Sequence, residues 1–424
     1  MKRTRKISAP LRFGLALFCM ALVSVTVLGA ELTILTWMGV DHVALYRELL
    51  DEFEAEHGVT VNIIRTGTSA LWEKLDTMIL AGTPPDVFFM SGEHHAKYHA
   101  TGVLEPLDEW AARTGADLDD FFPPSLEQYR IDGKLYAIPY DFGNRVVVYN
   151  VDLFQEAGLA EPTKEWASAE WTNESLREAA RKLFQTDSHG EVTRWGFVFP
   201  RSYRGIAPFI YSYGARFVLE TDDGFVTGLA EPEAIEALSF LQSMFREGDW
   251  GKHGGYAEVG NGTAAMAQFI PGNVMAMQTQ YPDVNWDIAP WPRGPGGRWT
   301  SGGGTGWAMS SRSAHPELAW KLLEFLTSYE VQLKHMQSGL KAPGRQSVAF
   351  HPDFLGQAQP RSMQVFIDAW FHIVSDPPVS AWGDYWPVVL AAYRELEALE
   401  ITPQEFALRM STQGNAILRE SVRP

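Results

Sequence analysis

Three acidic side chains of this sequence are candidates for a catalytic role. Asp41, Glu93 and Asp141 could supply the two carboxylates with which a glycoside hydrolase cleaves its substrate. The chain contains 52 Asp and Glu residues, however, so a pairing among three of them carries little information. No recognisable catalytic motif surrounds these positions either. The sequence therefore predicts no catalytic residue, although a glycoside hydrolase stays an open alternative.

The segment EHHAKYH, residues 93–99, contains histidines at metal-ligand spacing. His95 and His99 are four residues apart, which places both on one face of a helix, with Glu93 and His94 nearby. A zinc site is one interpretation of this pattern. The segment lacks the His-Glu-x-x-His motif, and no set of cysteines accompanies it. A solvated helix face is the better interpretation, and we predict neither a metal ion nor a cofactor.

Three consecutive glycines stand in the segment SGGGTG, residues 301–306. The segment lacks the Gly-Lys-Ser/Thr ending of a phosphate loop and the spacing of a dinucleotide-binding loop. Because glycine has no side chain, a ligand can approach Gly303 and Gly304 closely and accept hydrogen bonds from their amides. A flexible strand end explains the glycines equally well.

The elements that position these residues alternate between strand and helix near the start of the chain. Apolar patterns predict strands at residues 31–37, 59–65 and 87–90. A helix is predicted between Asp41, which can cap it, and Gly58, which ends it. This alternation predicts a parallel sheet covered by helices on both faces.

Two segments follow the predicted strands at the edge where such sheets bind ligands. Ligands lie beyond the carboxyl ends of parallel strands, so residues 37–41 and 91–95 are expected at a site. Ser91 is also placed to cap the next helix. Later in the chain, Thr172 and Ser175 form a loosened capping box, because Ser175 replaces the preferred Glu or Gln. Further helices are predicted at residues 231–247, 316–329, 385–399 and 403–418.

The first thirty residues have the features of a cleavable secretory signal. Five basic residues precede an apolar stretch at 13–28, and Leu28-Gly29-Ala30 permits cleavage before Glu31. An uncleaved membrane anchor is the alternative, but the stretch is shorter than the ~20 residues that span a bilayer. Cys19 is not a lipidation site, because Phe18 precedes it where a small residue is needed and because it lies inside the apolar stretch.

Composition and net charge indicate which classes of molecule the protein can bind. The chain has 424 residues, 46% of them hydrophobic and 21% charged, which is typical of a soluble protein with two lobes. Removal of the signal removes the only cysteine and changes the formal charge from −17 to −22, with 30 basic against 52 acidic residues. Such a surface repels phosphate backbones, so nucleic acid is excluded as a partner. We expect an exported, acidic monomer.

Five segments together carry a resemblance to a known family. The segments are GVLEPLDEW at 102–110, GKLYAIPYDFGNRVVVYNVDLFQEAGL at 133–159, EWTNESLREAARKL at 170–183, GNVMAMQTQYP at 272–282 and SGGGTGWAMSSRSAHPELAWKLLEFLTSYEVQ at 301–332. In their order and spacing, the chain resembles the extracellular sugar-binding proteins of ABC importers, the maltose-binding-protein-like family, over nearly all of residues 31–424.

The resemblance implies an α/β protein with the two-lobe periplasmic-binding-protein fold. Each lobe would contain a mostly parallel sheet flanked by helices, and several crossing strands would form the hinge. After the signal peptide at 1–30, the N-terminal lobe would comprise residues 31–142 and 307–342, and the C-terminal lobe residues 143–306 and 343–424.

The crossings implied by this division fall in three short polar segments. They are residues 140–145, 301–306 and 339–345. Gly143 and Asn144 tolerate the backbone changes that a hinge undergoes on closure better than β-branched residues do. An ordinary surface loop is the alternative for residues 140–145.

The implied function is capture of a mono- or oligosaccharide between the lobes and its delivery to membrane permease subunits. The protein would act in the periplasm, or outside the cell if the source lacks an outer membrane. A polyol or a glycerol-phosphate-type solute is the alternative ligand.

A sugar site needs flat aromatic surfaces and planar hydrogen-bonding groups. The mature chain contains all 15 tryptophans, most of which must belong to the core. Trp37 ends the first predicted strand at the edge of the cleft, and this position favours a stacking role. The resemblance implies stacking by Tyr281 and Trp386, and a hydroxyl acceptor at Glu93. The full set of predicted ligand contacts is Trp37, Asp41, Glu93, His94, Tyr140, Asp141, Tyr281, Gly303, Gly304, Arg345 and Trp386.

Overall fold

The computed structural model describes residues 29–339, 342–375 and 378–421. The predicted signal peptide lies outside these ranges except for Gly29 and Ala30. The strands are β1 Glu31–Thr36, β2 Thr60–Arg65, β3 Val87–Ser91, β4 Arg130–Ile131, β5 Lys134–Leu135, β6 Ala137–Pro139, β7 Gly143–Asn144, β8 Val146–Asn150, β9 Gln185–Thr186, β10 Val192–Phe199, β11 Val218–Thr221, β12 Gly224–Thr227, β13 Gly251–His253, β14 Ala264–Phe269, β15 Trp286–Ala289, β16 Thr300–Gly303, β17 Thr305–Met309 and β18 Ile373–Val374.

Helices pack around these strands. None of those within the described ranges combines the length and apolar character that a bilayer crossing needs. A 3-10 turn at Pro271–Asn273 precedes α11, and a π-helical turn at Met410–Gly414 joins α18 to α19. The α-helices are α1 Val40–His57, α2 Thr68–Leu80, α3 His95–Ala100, α4 Asp108–Thr114, α5 Pro123–Glu127, α6 Val151–Glu156, α7 Asn173–Leu183, α8 Tyr203–Ser212, α9 Pro232–Glu247, α10 Tyr256–Gly260, α11 Val274–Gln280, α12 Pro316–Leu326, α13 Tyr329–Gln337, α14 Gln346–Ala349, α15 Pro352–Leu355, α16 Gln364–Trp370, α17 Trp382–Glu397, α18 Pro403–Arg409 and α19 Asn415–Arg419.

Two sheets organise the molecule. The first has the strand order β2-β1-β3-β17-β6, and β1 is parallel to β2 and β3. The second has the order β13-β10-β14-β8-β15, and β10 is parallel to β13 and β14. Strand β17 in the first sheet and β8 in the second are antiparallel to their neighbours, and the short β9 pairs with β10 in antiparallel register. The mostly parallel sheets predicted for the two lobes are confirmed.

Each sheet has its own hydrophobic core. The first core is formed mainly by residues 32–140 and 307–331, with Phe88 and Trp307 fully buried between its elements. The second extends from Phe122 to Leu418 and contains the buried strand β8. Two cores agree with the two lobes expected from the length of the chain. The residue boundaries of the lobes stay a prediction.

The three predicted crossings lie beside one another. Strand β7 pairs with β16 in antiparallel register, with Gly143 opposite Gly303. Asp141 forms an isolated bridge with Pro343, so the described part of the third segment adjoins the first. Strand β8 begins directly after the first of these segments, and β17 begins within the second.

Local sequence rules were correct for most elements near the site. Helix α1 ends at Gly58, which adopts the left-handed conformation with φ 64°. The capping box at the start of α7 is present, with the Ser175 amide donating to Thr172 Oγ1 at 3.1 Å. Two cap predictions were wrong. Helix α1 begins at Val40, so Asp41 lies in its first turn, and α3 begins only at His95.

Two helices predicted near the end of the chain are interrupted. The helix predicted at 316–329 ends at Leu326, and Ser328 caps the next helix, α13, through its hydroxyl, which accepts a hydrogen bond from the Val331 amide. The helix predicted at 403–418 is broken by the π-helical turn between α18 and α19. Neither change affects residues that face the cleft.

Candidate ligand-binding cleft

A cavity of about 660 Å³ lies between the two sheets. Its lining comes from the elements of both cores and from the predicted crossing segments, so we describe it as an N-terminal wall, a C-terminal wall and a floor. The N-terminal wall is formed by Trp37, Trp72, Ser91, Glu93 and His94; the C-terminal wall by Arg145, Ser202, Tyr203, Arg204, Ile270, Pro271, Gly272, Asn273, Trp382 and Trp386; and the floor by Asp141, Gly143, Gly303, Gly304, Thr305 and Ala342.

Two indole rings of the N-terminal wall are brought together by the fold. Trp37 follows the carboxyl end of β1, and Trp72 lies in α2; their ring centroids are 5.4 Å apart with planes at 63°. Trp72 stacks on the His94 imidazole at 4.0 Å and 12°. His94 Nδ1 lies 2.9 Å from Ser91 Oγ, and burial lowers the pKa of His94. Trp72 was missed in the sequence, although its helix follows the carboxyl end of β2, where the sheet rule places ligand contacts.

The C-terminal wall presents two indole rings from one helix. Trp382 and Trp386 are four residues apart at the start of α17, and their rings lie 6.3 Å apart with planes at 4°. The Tyr203 ring contacts both, at 4.7 Å and 5.9 Å. Trp382 was missed, although residues at this spacing share a helix face. Trp386 is half-buried and lines the cavity, as its predicted stacking role requires.

An ion pair joins the two walls. Arg204 Nε and Nη2 lie 2.7 Å and 2.6 Å from Glu93 Oε1. Burial alone would raise the pKa of Glu93, but the Arg204 guanidinium brings that pKa below its ordinary value. Arg204 lies in the first turn of α8, whose N-terminus is capped by Ser202 Oγ accepting from the Gly205 amide at 3.1 Å. Glu93, a predicted ligand contact, therefore lines the cavity with one oxygen already bound by a guanidinium that was not predicted.

Close backbone packing accounts for the glycines of the floor. The Thr305 amide donates to Asp141 Oδ1 at 2.6 Å, which fixes Asp141 against the second crossing. A Cβ on Gly304 would collide with the Asp141 carbonyl oxygen, and a Cβ on Gly303 would collide with the Arg204 guanidinium. Gly303 also has φ 148°, which L side chains rarely adopt. Both glycines line the cavity, and their close neighbours are protein groups.

Arg145 is the second guanidinium of the C-terminal wall. It occupies the single position between β7 and β8, and its carbonyl oxygen accepts from Thr300 Oγ1 at 2.7 Å. Its side chain lines the cavity. Burial, followed by the charge of Arg204, lowers the pKa of Arg145 to about 9, so the group stays protonated at neutral pH. The sequence placed Arg145 in a crossing without identifying it as a contact.

Two predicted contacts lie on the N-terminal side of the molecule but outside the cavity lining. Asp41 is exposed in the first turn of α1, where its carboxylate is favourable beside the helix N-terminus. Tyr140 is buried in the first core, and its hydroxyl lies 3.0 Å from His335 Nε2. Its packing against Phe89 and Trp307 gives it a structural role.

Tyr281 and Arg345 are also outside the lining. Tyr281 follows α11, and its ring packs so closely against Gly260 that a Cβ there would overlap it. Arg345 donates from Nε to the Thr327 carbonyl oxygen at 2.7 Å and from Nη1 to Asp120 Oδ2 at 3.0 Å. Both side chains are thus held by contacts with the protein, and neither lines this cavity.

The remaining histidines of the EHHAKYH segment have protein partners. His95 Nδ1 lies 2.8 Å from the Gly92 carbonyl oxygen, and His99 Nε2 lies 3.1 Å from the Tyr136 hydroxyl. Within the described ranges, no group of three or more His, Cys, Asp and Glu side chains is arranged to hold a metal ion.

Seven of the predicted contacts share one cavity. They are Trp37, Glu93, His94, Asp141, Gly303, Gly304 and Trp386. Together with Trp72, Trp382 and the guanidinium groups of Arg145 and Arg204, they combine flat apolar surfaces with charged and hydrogen-bonding groups. Such a surface suits a small molecule that has both apolar faces and polar edges.

Comparisons with known proteins agree with this geometry. The chain is similar to a maltodextrin-binding protein of Bacillus subtilis (strain 168), with 28% identity over 302 residues that cover 66% of each protein. It is similar to an erythritol/L-threitol-binding protein of Mycolicibacterium smegmatis, with 25% identity over 335 residues, 72% of this chain and 68% of that protein.

A solved structure supports the same fold. An ABC substrate-binding protein of Listeria monocytogenes, in complex with cycloalternan, has a TM-score of 0.79 and 22% identity, covering 92% of this chain and 98% of that chain. The two-lobe fold implied by the sequence is therefore confirmed. The profile of the bacterial extracellular solute-binding proteins matches residues 39–333. Because this match spans well over half of the sequence, the chain belongs to the bacterial extracellular solute-binding protein family.

Proposed function

We propose that this protein captures a sugar, a mono- or oligosaccharide, in the cleft and delivers it to the permease of an ABC importer. The observation that carries the proposal is the set of four indole rings, two on each wall, around a cavity that also holds charged groups. Pyranose rings have apolar faces that stack on aromatic rings and hydroxyl rims that need hydrogen-bonding partners. The relative named for maltodextrin supports this class of ligand.

A polyol is the second candidate ligand. The relative named for erythritol and L-threitol supports it, and such a molecule presents the same hydroxyl groups without a ring. The two candidates differ in their need for stacking surfaces. The parallel rings of Trp382 and Trp386 favour the sugar.

The protein acts by binding and release, without turnover, as a monomer exported to the periplasm by its signal peptide. In a cell without an outer membrane it acts outside the cell. The family membership supports export and a transporter partner. Hydrolysis of a glycoside by the purified protein, abolished by Glu93→Gln, would favour the glycoside hydrolase instead.

Closure of two lobes over the ligand would couple binding to delivery. The proposed lobes are residues 31–142 with 307–342 and residues 143–306 with 343–424. The adjacent crossings at β7, β16 and Pro343 support a single hinge between them. Small-angle X-ray scattering should show a smaller radius of gyration with a confirmed ligand, and an unchanged radius would contradict closure.

A thermal-shift screen of the mature protein tests the ligand class. Monosaccharides, disaccharides, oligosaccharides and polyols are compared, because a ligand at 100 times its Kd adds ~2.7 kcal/mol to the free energy of unfolding. We expect a sugar to produce the largest shift. Stabilisation by polyols alone would support the second candidate, and no stabilisation by either class would contradict both.

A further inference from the structure

Arg145 is a cleft-facing cation that has no anionic partner among the described residues. Its backbone is fixed between β7 and β8, and its guanidinium lines the cavity. Among the residues that the structure describes, no carboxylate forms an ion pair with it and its side chain donates no hydrogen bond to the protein. A guanidinium has five N–H donors, so this group has its full hydrogen-bonding capacity available to a ligand.

The nearby carboxylates are already engaged. Glu93 is bound by Arg204 at 2.6 Å, and Asp141 accepts from the Thr305 amide at 2.6 Å. Both attract Arg145 electrostatically, which raises its pKa. Burial and the repulsion from Arg204 lower that pKa by more. A desolvated cation is costly unless an opposite charge pairs with it. An anionic group on the ligand would supply that charge.

The N-terminus of α8 adds positive potential to the same wall. This helix has ten residues, and Ser202, Tyr203 and Arg204 at its start line the cavity. Helix N-termini carry partial positive charge and unpaired amides, which favour anions. The C-terminal wall thus presents two guanidinium groups and a helix N-terminus in a chain whose formal charge is −17.

We infer that the ligand carries an oxyanion, a carboxylate or a phosphate, on a hydroxylated carbon skeleton, and that Arg145 binds this oxyanion. The inference rests on the proposed function, since the tryptophans hold the skeleton while Arg145 selects its charged substituent. A planar guanidinium matches the geometry of two oxygens on a carboxylate or phosphate. Arg145 is thus the residue that determines specificity for charged over neutral ligands.

Calorimetric titration with matched probes tests the inference. Glucose is compared with glucuronate and glucose 6-phosphate, and glycerol with glycerol 3-phosphate; maltose and maltobionate form the disaccharide pair. We expect at least one anionic probe to bind about tenfold or more tightly than its neutral counterpart. Sodium chloride should reduce this preference, because salt screens the contribution of charge. Which anionic probe binds distinguishes a carboxylate from a phosphate.

Two substitutions test whether Arg145 causes the preference for anionic over neutral probes. In Arg145→Gln the anionic and neutral probes should bind within about threefold of each other, whereas Arg145→Lys should keep part of the preference because it keeps the charge. The exposed Arg419 provides the matched control, and Arg419→Gln should leave the preference unchanged. Circular dichroism and the unfolding temperature establish that each variant is folded.

The possible outcomes separate the inference from the proposed function. Neutral sugars that bind wild type as tightly as the anionic probes would overturn the inference and leave the proposed function intact. A preference for anions that survives in Arg145→Gln would overturn the role of Arg145. Absence of binding by every sugar and polyol probe would overturn both.

Discussion

The two walls of the cleft present the same aromatic chemistry through different construction. On the N-terminal wall, Trp37 and Trp72 come from a strand end and a helix 35 positions apart, and their rings meet at 63°. On the C-terminal wall, Trp382 and Trp386 lie one turn apart on α17 with nearly parallel rings. The first surface is assembled by tertiary packing, whereas helical geometry is enough to align the second.

The walls also differ in what holds the rings in place. Trp72 stacks on His94, which in turn contacts Ser91, so the ring belongs to a polar network as well as to the cavity. Trp386 packs on Tyr203 and Phe217 at 5.9 Å and 6.2 Å. Substitution on the N-terminal wall should therefore disturb neighbouring groups, while substitution of Trp386 should affect mainly the ligand.

The largest effect is expected at the floor that joins the walls. In Gly304→Ala the new Cβ would meet the Asp141 carbonyl oxygen, which is backbone and cannot move aside. We expect a loss of about 3 kcal/mol in the free energy of unfolding, measured by urea denaturation. Gly143→Ala is the matched control on the paired strand, because its nearest neighbour lies 3.7 Å away. Equal stability of the two variants would contradict this account of the floor.

The next effect concerns Trp386 on the C-terminal wall. Trp386→Ala should weaken binding of a confirmed ligand by at least ~30-fold, or ~2 kcal/mol, while the free protein still folds. Calorimetric titration measures the affinity. Trp299→Ala serves as the control, since Trp299 is half-buried and lies outside the cavity lining. Wild-type affinity of the Trp386 variant would reject it as a stacking surface, and global unfolding would assign it to the core.

A smaller effect is expected at Trp72. Trp72→Ala should weaken binding by about tenfold, or ~1.4 kcal/mol, because Trp37 and the opposite wall retain their apolar surfaces. It should also change the imidazole resonances of His94, which loses its stacking partner; NMR detects this directly. Trp110→Ala on the same side of the molecule is the control, with no change expected in either measurement. Unaltered His94 resonances would contradict the network described for this wall.

The smallest effect is expected from the ion pair between the walls. Because Arg204 holds the pKa of Glu93 below its ordinary value, the pair stabilises the folded protein above the unfolded pKa of ~4.3. That stabilisation is lost as the pH falls through the lower folded pKa. Glu93→Gln should therefore cost about 1 kcal/mol at pH 7 and progressively less below pH 4, measured by urea denaturation. A pH-independent difference, or the same effect in the exposed variant Glu109→Gln, would contradict this.

Much of the first sheet could be predicted because its signals are local. Apolar runs and helical spacing identified β1, α1, β2 and β3 to within one or two residues. Since parallel strands end at one edge of a sheet, the same patterns placed Trp37, Glu93 and His94 near a site. The family resemblance contributed Trp386 and the crossings. Trp37, Glu93, His94 and Trp386 all line the cavity, because a short segment and its element decide which way each of them faces.

Other positions could not be assigned from local pattern. Tyr281 and Arg345 were predicted as ligand contacts. The Tyr281 ring packs against Gly260, and the Arg345 guanidinium donates to the Thr327 carbonyl oxygen and to Asp120, all of them outside the local segment. Arg204 reaches Glu93 across 111 positions of the chain. Nothing in the segment around either residue indicates that pairing.

By itself, the sequence determined the class of fold, the alternation of strands and helices, and which aromatic and acidic groups the chain contains. The strands and helices could be predicted because propensity and periodicity act over a few residues. Only the tertiary structure decided which of those groups face one another. The distances between Trp72 and His94, Glu93 and Arg204, and Asp141 and Thr305 depend on how two sheets and three crossings pack. That packing also left Arg145 as a cation whose counter-charge the ligand is inferred to provide.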